Sequence, residues 1–176
     1  MIDGIRIIYE NRGEKAALLC PPHPEYGGSM FDVRLERLSQ KLIEKNISTL
    51  RFDYGSVESA LRDAEICFKW LKSMHDAVAI IGYSFGSVIA SNLCGDLLVL
   101  ISPLKRTDGF ELKDCRVPKL VVYAKRDQIV SLNESLEIVK SLSEPKEVIE
   151  LDTDHFYFGK FDLLAESVSE FVARNL

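Results

Sequence analysis

The segment Gly82-Tyr83-Ser84-Phe85-Gly86 has the form G-x-S-x-G. It follows the aliphatic run Ala77–Ile81 and opens a segment of helical character, Phe85–Leu93. A serine placed between strand and helix sits in a turn too tight for side chains two residues to either side, so glycines flank it. Its oxygen is exposed, and the helix start offers free N–H groups to a developing negative charge. The chemistry in prospect is nucleophilic attack by Ser84, which needs a neutral imidazole as base.

Three histidines are available. His75 ends a helical segment and reads as a solvated surface residue. His23 precedes the serine, whereas a strand–turn–helix nucleophile of this type is followed in the chain by its acid and then its base. His155, after the last aliphatic run, is therefore the candidate base. Asp127, at the end of the run LVVYAKRD, is the candidate acid. Asp152 and Asp154 are rivals close to His155, although neighbours so near in sequence more often shape the loop. Asp108 and Asp114 lie in a polar loop and are weaker still.

The backbone N–H of Phe85 is one expected oxyanion donor, and the other is expected from His23-Pro24-Glu25-Tyr26-Gly27-Gly28, at Glu25 or Tyr26. His23, Gly27 and Gly28 are read as shaping that loop, with both glycines free to take positive φ. Tyr83, Phe156 and Tyr157, with Tyr26 and Phe85, are candidates for an apolar substrate pocket. Lys105 and Arg106 read as a solvated loop rather than as an acid-binding pair. No metal or organic cofactor is implied.

These residues need a frame to hold them. Strand-like runs occur at Ile5–Tyr9, Ala16–Cys20, Ile47–Phe52, Ala77–Tyr83, Leu97–Ser102, Lys119–Ala124 and Lys146–Leu151. Helical spacing occupies Phe31–Lys45, Ser56–Met74 (Ser56 as N-cap), Phe85 to Gly95, Ser131–Leu142 and Phe161–Val172. Runs of Val, Ile and Leu without polar alternation suggest a mostly parallel sheet buried on both faces. The expectation is a single α/β domain over 1–176, a three-layer sandwich. The segment Pro103–Val117 is too short to build a cap.

With 176 residues, 47% hydrophobic and 28% charged, the composition is that of an ordinary globule. A net charge of −5 without a basic stripe argues against nucleic acid. No apolar segment approaches the length of a membrane span. Met1–Gly13 lacks the pattern of a secretory leader, so a cytoplasmic setting is expected. Cys20, Cys67, Cys94 and Cys115, widely spaced and in apolar contexts, are expected as buried free thiols. A small-molecule acyl compound is the expected partner, and a homodimer is left open.

The chain resembles the small dienelactone-hydrolase-like and lipase-like branch of the α/β-hydrolases. It is most similar there to short prokaryotic hydrolases marked by H-P-x-x-G-G, R-F-[ND]-[FY], G-[FY]-S-F-G and D-H-F-[FY]. Here these read His23-Pro24-Glu25-Tyr26-Gly27-Gly28, Arg51-Phe52-Asp53-Tyr54, Gly82-Tyr83-Ser84-Phe85-Gly86 and Asp154-His155-Phe156-Tyr157. The resemblance implies an α/β-hydrolase fold without a cap domain and a Ser84–His155–Asp127 triad acting on small esters or thioesters. The chain departs from the group after Tyr54, where relatives carry Arg-Gly and a glycine-rich loop. It also has Ala124 where relatives have the glycine of G-x-x-D. Dienelactone hydrolases use a cysteine nucleophile, so their lactone substrate does not carry over to Ser84. Acyl transfer on the same triad and a non-catalytic binding module remain alternatives.

Overall fold

Side chains two apart on a strand share a face, so an unbroken aliphatic strand must be covered on both sides. In the computed structural model, which describes residues 1–176, that cover comes from two helical layers. The sheet has seven strands in the order β1-β3-β2-β4-β5-β8-β9. They are β1 (Ile7–Glu10), β2 (Lys15–Cys20), β3 (Ser48–Phe52), β4 (Ala77–Tyr83), β5 (Leu97–Ile101), β8 (Lys119–Ala124) and β9 (Lys146–Leu151). Every pairing is parallel except β1 with β3, where Ile7 lies opposite Phe52. The mixed sheet is thus parallel wherever the candidate site residues leave it.

Two cores result. Leu18 of β2 and Ile80 of β4 face α2 (Ala60–Lys72), α3 (Phe85–Ser91) and α4 (Leu132–Ser141). Leu19 and Ile81, one residue on, face α1 (Val33–Glu44) and α5 (Phe161–Asn175). Each side chain of the wholly buried β4 positions Val78 to Tyr83 therefore has a helix to pack against. Asp32 caps α1, its carboxylate accepting from the N–H of Arg34 and Leu35.

Several local expectations change. The second helix starts at Ala60 rather than at Ser56, because the hydroxyls of Ser56 and Ser59 bond each other and Ser59 Oγ donates to Asp63 at 2.6 Å. The left-handed residue after α3 is Cys94 (φ 47°), not Gly95. The segment expected as a polar loop contains a hairpin, β6 (Arg106–Thr107) and β7 (Phe110–Glu111), turning through Asp108 and Gly109, both at positive φ. His75 is not a solvated surface residue: it is buried, with Nε2 2.8 Å from Tyr9 Oη.

The cysteines divide. Cys20 and Cys67 are buried free thiols, and burial pushes both thiol pKa values up, so neither is a reactive thiolate. Cys94 and Cys115, expected free, form a disulfide with Cα atoms 5.7 Å apart, which pins the hairpin segment to the end of α3. Their contact is set by the return of that segment across the helix, where Lys113 N also donates to Ser91 Oγ. A crosslink closing a 21-residue separation stabilises by about 3 kcal/mol through the unfolded chain. Unfolded, unreduced protein should therefore show two thiols to Ellman's reagent, and Cys115→Ser should lower the unfolding free energy by about 3 kcal/mol in urea. Four titratable thiols would contradict the crosslink.

Candidate active site

The strand–helix turn comes first. Ser84 has φ 54° and ψ −119°, a conformation L-residues rarely adopt. A Cβ on Gly82 would run into the carbonyl of Gly86, and one on Gly86 into the carbonyl of Cys20, each well inside 3.0 Å. The two glycines are thus required by backbone contact among β4, α3 and the end of β2. Ser84 N donates to Ile101 O at 2.9 Å, and the N–H and hydroxyl of Ser87 both donate to Ser84 O. The strained residue is held from both sides.

Ser84 Oγ lies 3.0 Å from His155 Nε2, and His155 Nδ1 lies 2.7 Å from Asp127 Oδ2. Asp127 and His155 side chains are 1% and 3% exposed, so the pair is almost wholly buried. Burial pushes the Asp127 carboxyl up. Hydrogen bonds from His155 and from the N–H groups of Val130 and Ile129 more than offset that, and hold it below the usual carboxylate range. An ionised Asp127 can only accept, so the imidazole proton sits on Nδ1 and Nε2 is left to accept from the Ser84 hydroxyl.

The other carboxylates are placed elsewhere. Asp152 pairs with Arg126 in the open, and Asp114 caps Ser143 and faces Lys119. Asp154 accepts from the N–H of Phe156 and shapes the loop. Asp108 accepts from the other imidazole: His23 Nε2 is 3.0 Å from Asp108 Oδ2, while His23 Nδ1 accepts from Glu25 N. The disulfide-pinned hairpin therefore reaches across to the His23 loop, a contact that no spacing in the sequence marks.

That loop corrects the expected amides. Glu25 N is spent on His23 Nδ1 and Tyr26 N on His23 O at 3.2 Å, so neither faces an oxyanion. The amide of His23 itself has no acceptor in the protein, and neither does that of Phe85. Only Gly27 has positive φ. Gly28 is needed because a Cβ there would strike the carbonyl of Pro22.

A cleft of about 420 Å³ opens over Ser84. Tyr26, Phe85 and Phe156 line it, as does Tyr83, although Tyr83 is almost wholly buried and donates its hydroxyl to His155 O at 2.9 Å. Tyr157, expected in the pocket, is fully buried behind it, its hydroxyl 2.8 Å from Ser102 Oγ. Leu104, Thr107 and Ile129 complete one wall, and Asp32 and Arg34 belong to another. Arg34 escaped the sequence reading because nothing in its neighbourhood marks it. Its guanidinium pairs with Asp32, donates to Phe156 O at 3.2 Å, and lies 4.5 Å over the Tyr83 ring.

Fold and site together define the class: the chain has the α/β-hydrolase fold in a form without a cap domain. No protein-family model matches the sequence. An uncharacterized protein of Rickettsia prowazekii is 23% identical over 184 residues, spanning 89% of this chain and 77% of that protein. An α/β-hydrolase candidate of unknown function from Agrobacterium tumefaciens superposes with a TM-score of 0.84 at 23% identity, covering 97% of this chain and 90% of the other. A Xanthomonas campestris protein described as a serine hydrolase without lid gives 0.83 at 22%, over 98% and 92% of the two chains. Est1E of Butyrivibrio proteoclasticus, solved with ferulic acid bound, gives 0.84 at 16%, over 99% and 97%.

The depressed Asp127 pKa fixes a pH dependence. A carboxylate lowered on folding contributes stability that is fully present above its unfolded value of about 4 and is lost as pH falls through its lower folded value. Urea unfolding of wild type and Asp127→Asn between pH 7 and pH 2.5 should show a gap that is constant above about pH 4 and closes below it. A gap that widened toward acid would show the carboxyl to be raised instead.

Proposed function

We propose that the chain is a serine hydrolase that cleaves small carboxylic esters or thioesters through an acyl-enzyme on Ser84. The observation that carries this reading is the continuous line from Asp127 through His155 to Ser84 Oγ, at 2.7 and 3.0 Å. His155 Nε2 takes the hydroxyl proton as Ser84 Oγ bonds to the acyl carbon, and Asp127 stabilises the imidazolium. The unspent amides of Phe85 and His23 are the proposed donors to the oxyanion, in place of Glu25 and Tyr26. The tetrahedral intermediate collapses as the carbon–oxygen or carbon–sulfur bond breaks and His155 protonates the leaving group. Water then enters and reverses the roles.

The open cleft supports small acyl groups over buried long chains, and its rings support flat ones. Aromatic acyl esters belong in the first substrate panel for that reason, and because the structurally similar Est1E is described with ferulic acid. The same first half-reaction would serve acyl transfer to an added alcohol. No helix is long and apolar enough to cross a membrane. The expected cytoplasmic setting is not proposed, because a Cys94–Cys115 disulfide is uncommon in a reducing compartment.

The test is intact mass after incubation with a fluorophosphonate. Wild type should gain one adduct and Ser84→Ala none, with turnover of a short-chain aryl ester falling by a factor on the order of 10⁶ in the variant. Folded wild type that takes no adduct would make the fold a binding module instead.

A further inference from the structure

The cleft is lined by unlike groups. The start of α1 brings Asp32 and Arg34 to it beside Phe156 of the β9–α5 connection, and the connections after β5 and β8 bring Leu104 and Ile129. Leu104 and Ile129 are aliphatic. Arg34 brings a guanidinium, and its side chain is only 14% exposed.

A guanidinium has five N–H donors. In Arg34, Nε and one Nη2 hydrogen go to Asp32 and one Nη1 hydrogen goes to Phe156 O. Two donors, one on each terminal nitrogen, have no protein acceptor. Buried donors are ordinarily paired, and Arg34 is one of the residues that line the cleft. Phe156 follows His155 directly, and in the hydrolase reading His155 protonates the leaving oxygen, so a leaving group that departs past Phe156 also passes Arg34.

Charge decides what kind of acceptor fits. Asp32 already neutralises Arg34, and Asp154 also acts on it. Asp127 adds a further negative charge beside His155. An anion entering here meets more negative than positive charge, whereas a hydroxyl or carbonyl oxygen gains the two free donors without repulsion.

Resting on the serine-hydrolase reading above, we infer that Arg34 determines leaving-group specificity: the substrate is an ester of an apolar acid with an uncharged, hydroxyl-bearing alcohol, its acyl part against Leu104 and Ile129. In the acylation step Ser84 Oγ bonds to the acyl carbon, the bond from that carbon to the alcohol oxygen breaks, and the Ser84 proton passes through His155 Nε2 to the departing oxygen. Arg34 takes no part in the bond changes. It orients the alcohol so that its oxygen meets Nε2.

Three butyrate esters separate the possibilities, because all leave the same butyryl-enzyme and differ only in the alcohol: propyl butyrate, glycerol 1-monobutyrate and the butyrate ester of glycolic acid. Released butyrate is followed to give kcat/KM. Wild type should favour the glycerol ester over the propyl ester by about tenfold or more, the effect of one or two hydrogen bonds to a charged donor. It should disfavour the glycolate ester. Arg34→Met should bring the glycerol-to-propyl ratio to about one. Should that variant not fold, Arg34→Gln, which keeps a donor for the Phe156 carbonyl, is read by the same ratio. A wild-type ratio near one, a preference for the glycolate ester, or an equal loss on all three esters in the variant overturns the inference while leaving the hydrolase reading in place. No cleavage of any ester, with no fluorophosphonate adduct on Ser84, removes both.

Discussion

Three pieces of backbone meet at Ser84 with no room for a side chain: the end of β4, the start of α3 and the end of β2. Gly82 faces the carbonyl of Gly86, and Gly86 faces that of Cys20. Because the pieces cannot separate, the residue between them is forced to φ 54°, at a cost of roughly 1–3 kcal/mol for a non-glycine residue. The two cores bear that cost, since β4 packs on both faces and cannot relax outward. The first turn of α3 starts at this point, so the amide of Phe85, which has no acceptor in the protein, follows directly on the strained residue.

A fixed serine sets a narrow tolerance for its partner, and the His155 loop is tied accordingly. Its backbone is held by Tyr83 from below, by Gln128 Oε1 accepting from His155 N at 3.1 Å, and by Arg34 through the Phe156 carbonyl. Asp127 then fixes the ring. The tethers come from β4, the loop after β8, and α1, elements far apart in the chain that meet at the carboxyl ends of the strands. Tyr83 precedes Ser84 and its hydroxyl donates to His155 O, so displacing β4 would move both residues together.

What was legible in the sequence follows the same division. The Gly82–Gly86 turn could be read because its cause is local: a strand, a crowded turn and a helix in succession. Asp127 and His155 were legible from chain order and strand ends, once Ser84 was fixed. The strands were legible because double burial strips them of polar residues. By contrast, the Cys94–Cys115 bond, the Asp108 contact to His23 and the Arg34 node join segments with no common pattern. Tyr157 was misplaced because position beside a catalytic residue does not fix direction: at φ 57° it turns its ring inward to Ser102. The amides of Glu25 and Tyr26 are unavailable because His23, capping a short 3₁₀ turn at Pro24–Tyr26, accepts from both, through Nδ1 and its carbonyl. Backbone donors carry no sequence signal of their own.

His23 shows how far apart such dependences reach. As an acceptor for Glu25 N, its Nδ1 is unprotonated, which puts the ring proton on Nε2 and requires an acceptor opposite. Asp108 is that acceptor, itself held low in pKa first by the Thr107 hydroxyl and then by His23. Asp108 sits at the tip of a hairpin whose other end is crosslinked to α3, the helix that starts at the nucleophile. The chain of contacts from Ser84 along α3, through the disulfide and hairpin to His23, returns to the amide proposed to face the oxyanion. A segment too short for a cap thus closes a ring around the site. The cleft can then stay open to solvent on top while its floor remains fixed.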